Sequence, residues 1–317
     1  MEVSVLRYIT MGCICARETV TLNNRRYSVR SRLGEGGFSY VDLVEDPSGK
    51  QYALKRIVCH SKEDQEIAKL EIKYMQTLNH PNLVPLVDSG VKPIHDRTRS
   101  ILSEVLICMP YFKRGTLHNE LETLAANRSF MTEGRMLKIF QSICHGLKAL
   151  HDNQPQGLAH RDMKPHNVLM AFDDTPVIMD FGSMGSARVM ITSMSEARAL
   201  QDLAAERCSM PYRAPELFNV ELDSTIDERI DIWSLGCTLY AMCFHESPFD
   251  QAYQRGDSIA LAVLGTIKIP ENHTFSSGVI DLIKIMLQVD PQQRPFIDEI
   301  ISKTEHLVSH HEIANRI

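Results

Sequence analysis

The segment that decides the fold spans residues 160–167 and reads HRDMKPHN. It places an acid, a basic residue and an amide close together: Asp162 is its third residue, Lys164 its fifth and Asn167 its last. Two apolar runs follow, with the turn sequence DDTP between them, and the second run leads into Asp180. Apolar runs on both sides of a turn predict a β-hairpin, which would bring Asp180 back beside Asp162 and Asn167. Two carboxylates and an amide facing one cleft suit Mg²⁺ held against phosphate oxygens.

Length and composition are those of an ordinary globular chain. With 317 residues, 44% hydrophobic and 23% charged, the chain is long enough for one large domain or two modest ones with a substantial core. The net charge of −6 argues against a protein that coats nucleic acid, so no nucleic-acid partner is predicted. Eight scattered cysteines, mostly within apolar runs, indicate a reducing, cytoplasmic compartment. No apolar run reaches the roughly 18 residues that a membrane-spanning helix needs.

The order of motifs along the chain resembles that of a eukaryotic protein kinase. HRDMKPHN and DFG (residues 180–182) are followed by APE (residues 214–216), by DIWSLG (residues 231–236) and by Arg294. Three further strings are similar to the Numb-associated kinase family, and within it to a lipidated member. They are GEGGFSYVDLV (residues 34–44), FKRGTL (residues 112–117) and AERCSMPYRAPE (residues 205–216).

The resemblance implies an α+β, bilobal protein-kinase fold with a small β-rich N-lobe and a larger, mainly helical C-lobe. The expected boundaries are a flexible N-terminal segment with an acylation site at residues 1–26, the N-lobe at 27–109, the C-lobe at 110–303 and a polar tail at 304–317.

The N-lobe is expected to bind ATP. Glycines joining two strands let backbone N–H groups close over phosphates, although Ser39 stands where the usual Gly-rich loop has its third glycine. The resemblance also implies that Met109 lies behind the adenine and that the next residues form a connector between the lobes. The expected ATP-binding positions are Leu33, Gly34, Glu35, Gly36, Gly37, Phe38, Ser39, Val41, Ala53, Lys55, Glu71, Met109, Tyr111 and Phe112.

Glu71 is predicted to pair with Lys55. Apolar residues recur around Glu71 at three- and four-residue spacing, which places its carboxylate on the packed face of a helix. A carboxylate there is costly unless it is paired. Lys55, sixteen residues earlier at the end of a predicted strand, is the natural partner, and the pair would hold the lysine against the α- and β-phosphates.

The resemblance assigns roles to the catalytic segment. Asp162 is expected to be the catalytic base or to orient the acceptor hydroxyl, and Lys164 to balance charge on the transferring phosphoryl group. Asn167 and Asp180 are the expected Mg²⁺ ligands. Lys164 together with Ser209 favours serine or threonine over tyrosine as the acceptor.

Other residues are expected to support the site. Asp231 should accept backbone hydrogen bonds from the catalytic segment, and Arg294 should be the buried partner of Glu216. His160 is interpreted as a packed structural residue beside Phe181. For Arg161 the sequence gives no evident anionic partner.

The segment that follows DFG contains strong helix formers at residues 195–207, with Ser195 placed to cap the helix. Numb-associated kinases have an extra helix at this place. A segment that folds on itself needs less help from a phosphate, so activity without activation-segment phosphorylation is predicted. Thr192, Ser193 and Ser195 are candidate sites of self-phosphorylation.

The amino terminus contains the string MGCICA at residues 11–16. If Met11 were the initiator, Gly12 would carry a myristoyl chain, and Cys13 and Cys15 could take palmitate. Five nearby arginines would add attraction to an anionic membrane surface. The resemblance suggests the cytosolic face of Golgi or perinuclear membranes. With Met1 as initiator, Gly12 has no free amine, and a solvated tail is the alternative.

The leading hypothesis is an ATP- and Mg²⁺-dependent protein serine/threonine kinase that acts on protein substrates and on itself. The first alternative is a pseudokinase-like scaffold, which losses at Lys55, Asp162, Asn167 or Asp180 would favour; none is lost. The second is a small-molecule phosphotransferase. Such enzymes generally lack the APE and DIWSLG segments and a counterpart of Arg294, all of which are present here.

Overall fold

The computed structural model describes residues 18–36, 39–96 and 101–314. These divide into two compact units. The first comprises the described residues up to Gln65 together with Val87–Tyr111, and the second comprises Glu66–Leu86 and the described residues from Phe112 onward. A β-rich first unit and a helical second unit confirm the predicted α+β, bilobal class.

Two boundaries differ from the sequence prediction. The stretch Glu66–Leu86, expected in the N-lobe, groups with the helical unit. The other change of unit falls between Tyr111 and Phe112, inside the expected connector. The possible lipidation sites Gly12, Cys13 and Cys15 and the loop residues Gly37 and Phe38 lie outside the described residues.

The first unit is built on one antiparallel six-stranded sheet with strand order β1-β2-β3-β4-β6-β5. Its strands are β1 (Thr19–Leu22), β2 (Arg25–Glu35), β3 (Ser39–Glu45), β4 (Gln51–Cys59), β5 (Asp88–Asp96) and β6 (Ile101–Pro110). Helix α1 (Lys62–Thr77) follows β4.

Strand β1 corrects the prediction of a flexible segment through residue 26. It pairs with β2, and its alternate residues Val20 and Leu22 are buried in the core. Tyr27 and Tyr52 meet them there with their rings edge to face, 5.7 Å between centroids. Val20 and Leu22 alternate with polar residues, as in a half-buried strand, but the alternation covers only four residues.

A charged network lies on the same face of the sheet. Arg56 is buried and forms ion pairs with Glu104 (3.1 Å), Asp42 (3.4 Å) and Glu18 (2.7 Å). Tyr40 donates a hydrogen bond to Glu104 (2.8 Å), and burial together with this bond raises the pKa of Tyr40 to about 12. Several partners around one buried guanidinium satisfy the charge that burial would otherwise make costly.

The arginines of β2 also have acidic partners. The pairs are Arg25–Asp46, Arg30–Glu45 (2.5 Å) and Arg32–Asp42 (2.7 Å). Their charges are therefore partly neutralised within the sheet. The basic patch expected from the sequence is weaker than a count of arginines indicates.

The second unit is mainly helical. Its helices are α2 (Leu117–Ala126), α3 (Glu133–His151), α4 (Met194–Arg207), α5 (Arg229–Phe244), α6 (Asp250–Gln254), α7 (Ile259–Ala262), α8 (Ser277–Met286) and α9 (Ile297–Ala314). Its strands are β7 (Leu158–Ala159), β8 (Val168–Met170), β9 (Pro176–Ile178), β10 (Gly185–Ser186), β11 (Val189–Ile191) and β12 (Ser224–Ile226). The short strands form three antiparallel pairs, β7–β10, β8–β9 and β11–β12.

Helix α5 is the centre of the helical unit. Every residue from Arg229 to Cys243 is buried. Trp233 stacks on the ring of Phe249 (centroids 5.7 Å apart), and the guanidinium of Arg294 lies over its ring at 5.2 Å. A helix that is apolar all round has to be enclosed by others. The DIWSLG motif at residues 231–236 lies within this helix.

Helix α9 corrects the predicted polar tail. It runs from Ile297 to Ala314 and packs along α3. Lys138 of α3 forms an ion pair with Glu312 (2.8 Å), and the ring of His311 leaves no room for a side chain at Gly134. These polar residues are therefore part of a packed helix.

Six cysteines fall within the described residues, and all are free and buried. They are Cys59, Cys108, Cys144, Cys208, Cys237 and Cys243. Burial raises the pKa of Cys108 and of Cys208 to about 12.

Of the helices in the part of the chain that the structure describes, none has both the length and the apolar character to span a bilayer.

Candidate active site

Asp231 holds the start of the catalytic segment. Its carboxylate accepts hydrogen bonds from the backbone N–H groups of His160 and Arg161, each at 2.7 Å, and His151 Nε2 lies 3.0 Å away. Burial by itself would raise the pKa of this fully buried carboxyl, but the bonds from His151 and the backbone outweigh it, so its pKa is lowered. Asp231 is therefore a fixed anion under the loop, in the role expected from the sequence.

His160 is buried and contacts both the catalytic segment and the residue that precedes Asp180. Its Nε2 lies 3.1 Å from the carbonyl oxygen of Met179, and its Nδ1 accepts a hydrogen bond from the N–H of Asp162 (3.3 Å). The ring of Phe181 stands edge-on to it, with centroids 6.1 Å apart. These contacts fit the structural interpretation of His160.

Asp162, Lys164 and Asn167 form one cluster. Asn167 Nδ2 donates to the carbonyl oxygen of Asp162 (2.8 Å) and to its Oδ2 (3.0 Å), while Lys164 Nζ lies 2.9 Å from the same Oδ2. Since the amide nitrogen of Asn167 is used by Asp162, its oxygen Oδ1 is the atom left to bind a cation. That oxygen suits a hard divalent cation.

The β8–β9 hairpin forms as predicted. Val168 pairs with Ile178, and the N–H of Met179 donates to the carbonyl oxygen of Asn167 (2.9 Å). Asp180 comes directly after Met179, with its backbone in the left-handed region at φ 66°. Aspartate tolerates this conformation better than most residues. The hairpin thus returns the chain to Asn167 just before Asp180, which carries the second carboxylate.

Ser209 joins the catalytic cluster from the far end of the activation segment. Lys164 Nζ donates to its hydroxyl at 2.5 Å, and the N–H of Ser209 donates to Asp162 Oδ1 at 2.8 Å. The hydroxyl of Ser209 therefore contacts Lys164, whereas Asp162 is contacted by the backbone N–H of Ser209. Asp162 therefore receives hydrogen bonds on both carboxylate oxygens.

The activation segment, which runs from DFG to APE, lies wholly within the described residues. Strand β10 pairs with β7, β11 pairs with β12, and α4 then spans Met194–Arg207. The predicted helix is confirmed, but Ser195 does not cap it. Ser193 is the N-cap and forms a capping box with Glu196, because its hydroxyl reaches the N–H three residues on.

Arg161 has a partner that the sequence did not reveal. Its guanidinium donates to the carbonyl oxygen of Ser186 (2.9 Å), and a Cβ at Gly185 would lie 2.8 Å from the guanidinium carbon. Burial lowers the pKa of Arg161, and its Nε has no hydrogen-bond partner among the described residues. The contact ties the catalytic segment to β10 without a phosphate.

Two further contacts at the end of α4 were also missed. Ser183 Oγ donates to the carbonyl oxygen of Arg207 (3.0 Å), and Arg207 Nη1 donates to the carbonyl oxygen of Gly182 (3.3 Å). Ser183 and Arg207 are 24 positions apart. No local pattern links them, since the contact depends on how the whole activation segment folds.

In the first unit, four expected ATP-binding residues share one face of the sheet. Val41 is opposite Lys55, and Ala53 is opposite Met109. Paired residues of an antiparallel sheet point to the same side, as do residues two apart, so Val41, Ala53, Lys55 and Met109 line up together. The opposite face carries the charged network around Arg56.

The Gly-rich loop joins β2 and β3. Leu33, Gly34, Glu35 and Gly36 are exposed, and the N–H of Gly36 donates to the carbonyl oxygen of Ser39 (2.7 Å). No atom lies within 4 Å of a Cβ built at Gly34. The described residues of this loop that precede Gly37 are therefore exposed to solvent.

Glu71 is buried, 3% exposed, on the packed face of α1, as its spacing predicted. Lys55 belongs to the first unit and Glu71 to the second. Their pairing stays a prediction, as do the roles of Tyr111 and Phe112 at the change of unit.

Glu216 and Arg294 form the predicted anchor. Arg294 is buried and donates to both carboxylate oxygens of Glu216, at 2.7 and 2.6 Å. It also donates to the carbonyl oxygens of Gln288 (2.6 Å) and Arg229 (3.0 Å). This pair fixes the end of the activation segment to the helical core.

The comparison with known families agrees with this geometry. Residues 27–304 match the protein kinase domain. The chain therefore belongs to the protein kinase family, whose members bind ATP and a divalent metal cation.

Individual relatives extend over nearly the whole chain. This chain is 47% identical over 296 residues to Serine/threonine-protein kinase 16 of Rattus norvegicus and of Homo sapiens. The match covers 93% of this chain and 94% of each relative. The chain is 33% identical over 329 residues to Serine/threonine-protein kinase ppk13 of Schizosaccharomyces pombe, covering 91% of this chain and 92% of that protein.

Proposed function

We propose that this chain is an ATP- and Mg²⁺-dependent protein serine/threonine kinase of the Numb-associated kinase family. The observation that carries the proposal is the cluster of Asp162, Lys164, Asn167 and Ser209, joined by hydrogen bonds and ion pairs of 2.5 to 3.0 Å. The names of the relatives support serine or threonine as the acceptor. Lys164 held between Asp162 and Ser209 supports it as well.

The residues divide the work of phosphoryl transfer. The acceptor oxygen forms a bond to the γ-phosphorus, the bond to the β–γ bridging oxygen breaks, and ADP leaves. Asp162 orients the hydroxyl and receives its proton, while Lys164 offsets negative charge on the transferring group. Asn167 and Asp180 would hold Mg²⁺, which neutralises phosphate charge when bound. Asn167 Oδ1 fits this task because the amide nitrogen is already engaged.

The donor set suits a cation that shares its shell with phosphate and water. Among the described residues there is no group of three or more His, Cys, Asp or Glu side chains that could hold a metal by themselves. Mg²⁺ is usually held through one or two carboxylates plus substrate phosphates and waters. One carboxylate from Asp180 and one amide oxygen from Asn167 agree with this coordination preference.

The proposal includes activity without activation-segment phosphorylation. The segment is supported by a capped helix, by two strand pairs and by the bond from Arg161 to Ser186. A phosphate commonly orders such segments by bridging basic residues. Here protein groups already make contacts of that kind. Phosphatase treatment should therefore leave turnover unchanged, and loss of turnover would contradict this part.

The proposal also includes membrane attachment by acylation at Gly12, Cys13 and Cys15, on the cytosolic face of Golgi or perinuclear membranes. It is supported by the MGCIC string and by the resemblance to the myristoylated and palmitoylated serine/threonine kinase of that family. Because the β2 arginines are paired, acyl chains rather than surface charge would supply most of the affinity. The intact mass of the native protein tests it: a chain that starts at Met1 or Glu2 without lipid would end the proposal.

The central experiment follows phosphate from labelled ATP into protein. The purified chain is incubated with Mg²⁺ and with serine, threonine and tyrosine peptides, or with an Asp162→Ala copy of itself, which reports self-phosphorylation. We expect transfer to serine or threonine, loss of transfer with EDTA, and a roughly 10²–10⁴-fold drop for the Asp162→Ala enzyme.

Asp281→Ala, at an exposed acid of α8, is the matched control and should behave as wild type. ATP binding without transfer to any acceptor would favour the scaffold alternative. Near-normal turnover in Asp162→Ala would refute the assigned role.

A further inference from the structure

The end of the DFG loop and the end of α4 exchange hydrogen bonds in both directions. Ser183 donates its hydroxyl to the carbonyl oxygen of Arg207 (3.0 Å), and Arg207 donates its guanidinium to the carbonyl oxygen of Gly182 (3.3 Å). We call this pair of contacts the Ser183–Arg207 clasp. It involves groups that neither bind ATP nor face the acceptor in the proposed chemistry.

The clasp acts on the loop that carries Asp180. Gly182 is two residues after Asp180, and Phe181 between them is buried against His160. Asp180 itself holds a left-handed backbone, which has to be maintained by surrounding contacts. A bond on the Gly182 carbonyl therefore restrains the backbone just after the strained residue.

The other end of the clasp is a rigid support. Helix α4 is capped by Ser193 and Glu196, and Ala197 and Ala204 bury one of its faces. Gln201 donates to the carbonyl oxygen of Phe218 (3.1 Å), which attaches the helix to the segment after APE. A short loop bonded to such a helix has less freedom than a loop bonded to solvent.

We propose that Arg207 and Ser183 are positioning residues for phosphoryl transfer: the clasp holds Asp180 in place to bind the metal ion and so performs the ordering that a phosphate performs elsewhere. This deepens the proposed function and rests on it. Arg161 does not supply this restraint, because its guanidinium is engaged with Ser186. Because the guanidinium of Arg207 and the hydroxyl of Ser183 bond directly to backbone carbonyl groups, they restrain the loop without a phosphate.

The test compares Arg207→Ala, Arg207→Lys and Ser183→Ala with wild type. Arg198→Ala is the matched control, since Arg198 is an exposed arginine of the same helix with no ion pair among the described residues. Two readouts are taken across a Mg²⁺ titration: turnover at saturating ATP, and the part of the ADP-induced rise in Tm that depends on Mg²⁺.

We expect Arg207→Ala and Ser183→Ala each to raise the Mg²⁺ concentration for half-maximal turnover about fivefold to tenfold, the range for loss of one hydrogen bond. The Mg²⁺-dependent rise in Tm should shift to higher Mg²⁺ in parallel. Arg207→Lys can still donate to Gly182 and should recover part of the loss. Arg198→Ala should match wild type. A purely structural role would lower the ligand-free Tm without moving the Mg²⁺ midpoint.

Wild-type Mg²⁺ midpoints in both Arg207→Ala and Ser183→Ala would overturn the clasp, as would an equal shift in Arg198→Ala. Should Arg207→Ala fail to fold, Ser183→Ala decides alone. If the wild-type chain transfers no phosphate, the proposed function fails by itself. The Mg²⁺-dependent rise in Tm then still decides for or against the clasp.

Discussion

Lys164 donates a 2.5 Å hydrogen bond to the hydroxyl of Ser209, which lies 45 positions further along the chain. The same ammonium group is 2.9 Å from Asp162. The bond makes the end of the activation segment part of the catalytic cluster, so a change in that segment should act directly on Lys164 and Asp162.

Ser209→Ala should lower kcat about tenfold, because it removes the acceptor that holds Lys164 in place. Ser209→Thr keeps a hydroxyl and should retain most of the activity. Steady-state kinetics with a serine peptide measure both variants. Ser195→Ala, on the exposed surface of α4, is the control. Full activity in Ser209→Ala would show that the bond does not contribute to turnover.

Asp231→Asn should lower the free energy of unfolding at pH 7 by about 3 kcal/mol, since it removes a buried anion that accepts bonds from His160, Arg161 and His151. The folded state lowers the pKa of Asp231 below its ordinary value of 3.8. Its stabilising effect is therefore present above that pH and is lost as the pH falls below it.

Urea denaturation of wild type and Asp231→Asn across a pH series checks this sign. We expect the difference between them to be constant near neutral pH and to shrink in acid. A difference that grows as the pH falls would contradict the lowered pKa.

Arg294→Met should lower the free energy of unfolding by about 3–5 kcal/mol, because the partly buried carboxylate of Glu216 and the carbonyl groups that Arg294 binds would lose their partner. Arg294→Lys keeps the charge but loses the two-pronged contact, so it should be only a partial rescue. Urea denaturation gives the comparison. Arg255→Ala, which breaks the exposed pair with Asp257, should cost less than about 1 kcal/mol. Equal losses at the two arginines would argue against the anchor.

Lys55→Met should reduce turnover with ATP about 10²–10³-fold, because it removes a fixed positive charge expected at the phosphates while nearly preserving side-chain length. Lys50→Met, in the turn between β3 and β4, is the matched control. Kinetics and calorimetric titration with Mg²⁺ and ATP measure the effect. Near-normal turnover in Lys55→Met would remove the predicted phosphate contact.

Local patterns account for much of what the sequence predicted correctly. The β8–β9 hairpin follows from two apolar runs around a turn, and Glu71 follows from helical spacing. The contacts of Asp231 and of Arg294 with Glu216 join distant residues. They were available only because the order of motifs resembles protein kinases, since no spacing rule brings such positions together.

The errors have physical causes. β1 was missed because four residues gave too short a pattern beside a polar segment. Ser195 was chosen as the cap, although Ser193 and Glu196 stand at the spacing of a capping box. The histidines after residue 304 looked solvated, yet His311 covers Gly134. The Ser183–Arg207 clasp could not be derived, because it exists only once the activation segment has closed on itself.

Because six of the thiols are buried, they should react little with a labelling reagent while the protein is folded. Of the eight cysteines, only Cys13 and Cys15 lie outside that enclosed set. A maleimide dye added briefly to the native protein should therefore react at those two positions or hardly at all, whereas the unfolded chain offers every sulfur. Dye uptake before and after hydroxylamine, which cleaves thioesters, would then count palmitate at the amino terminus without any mutation.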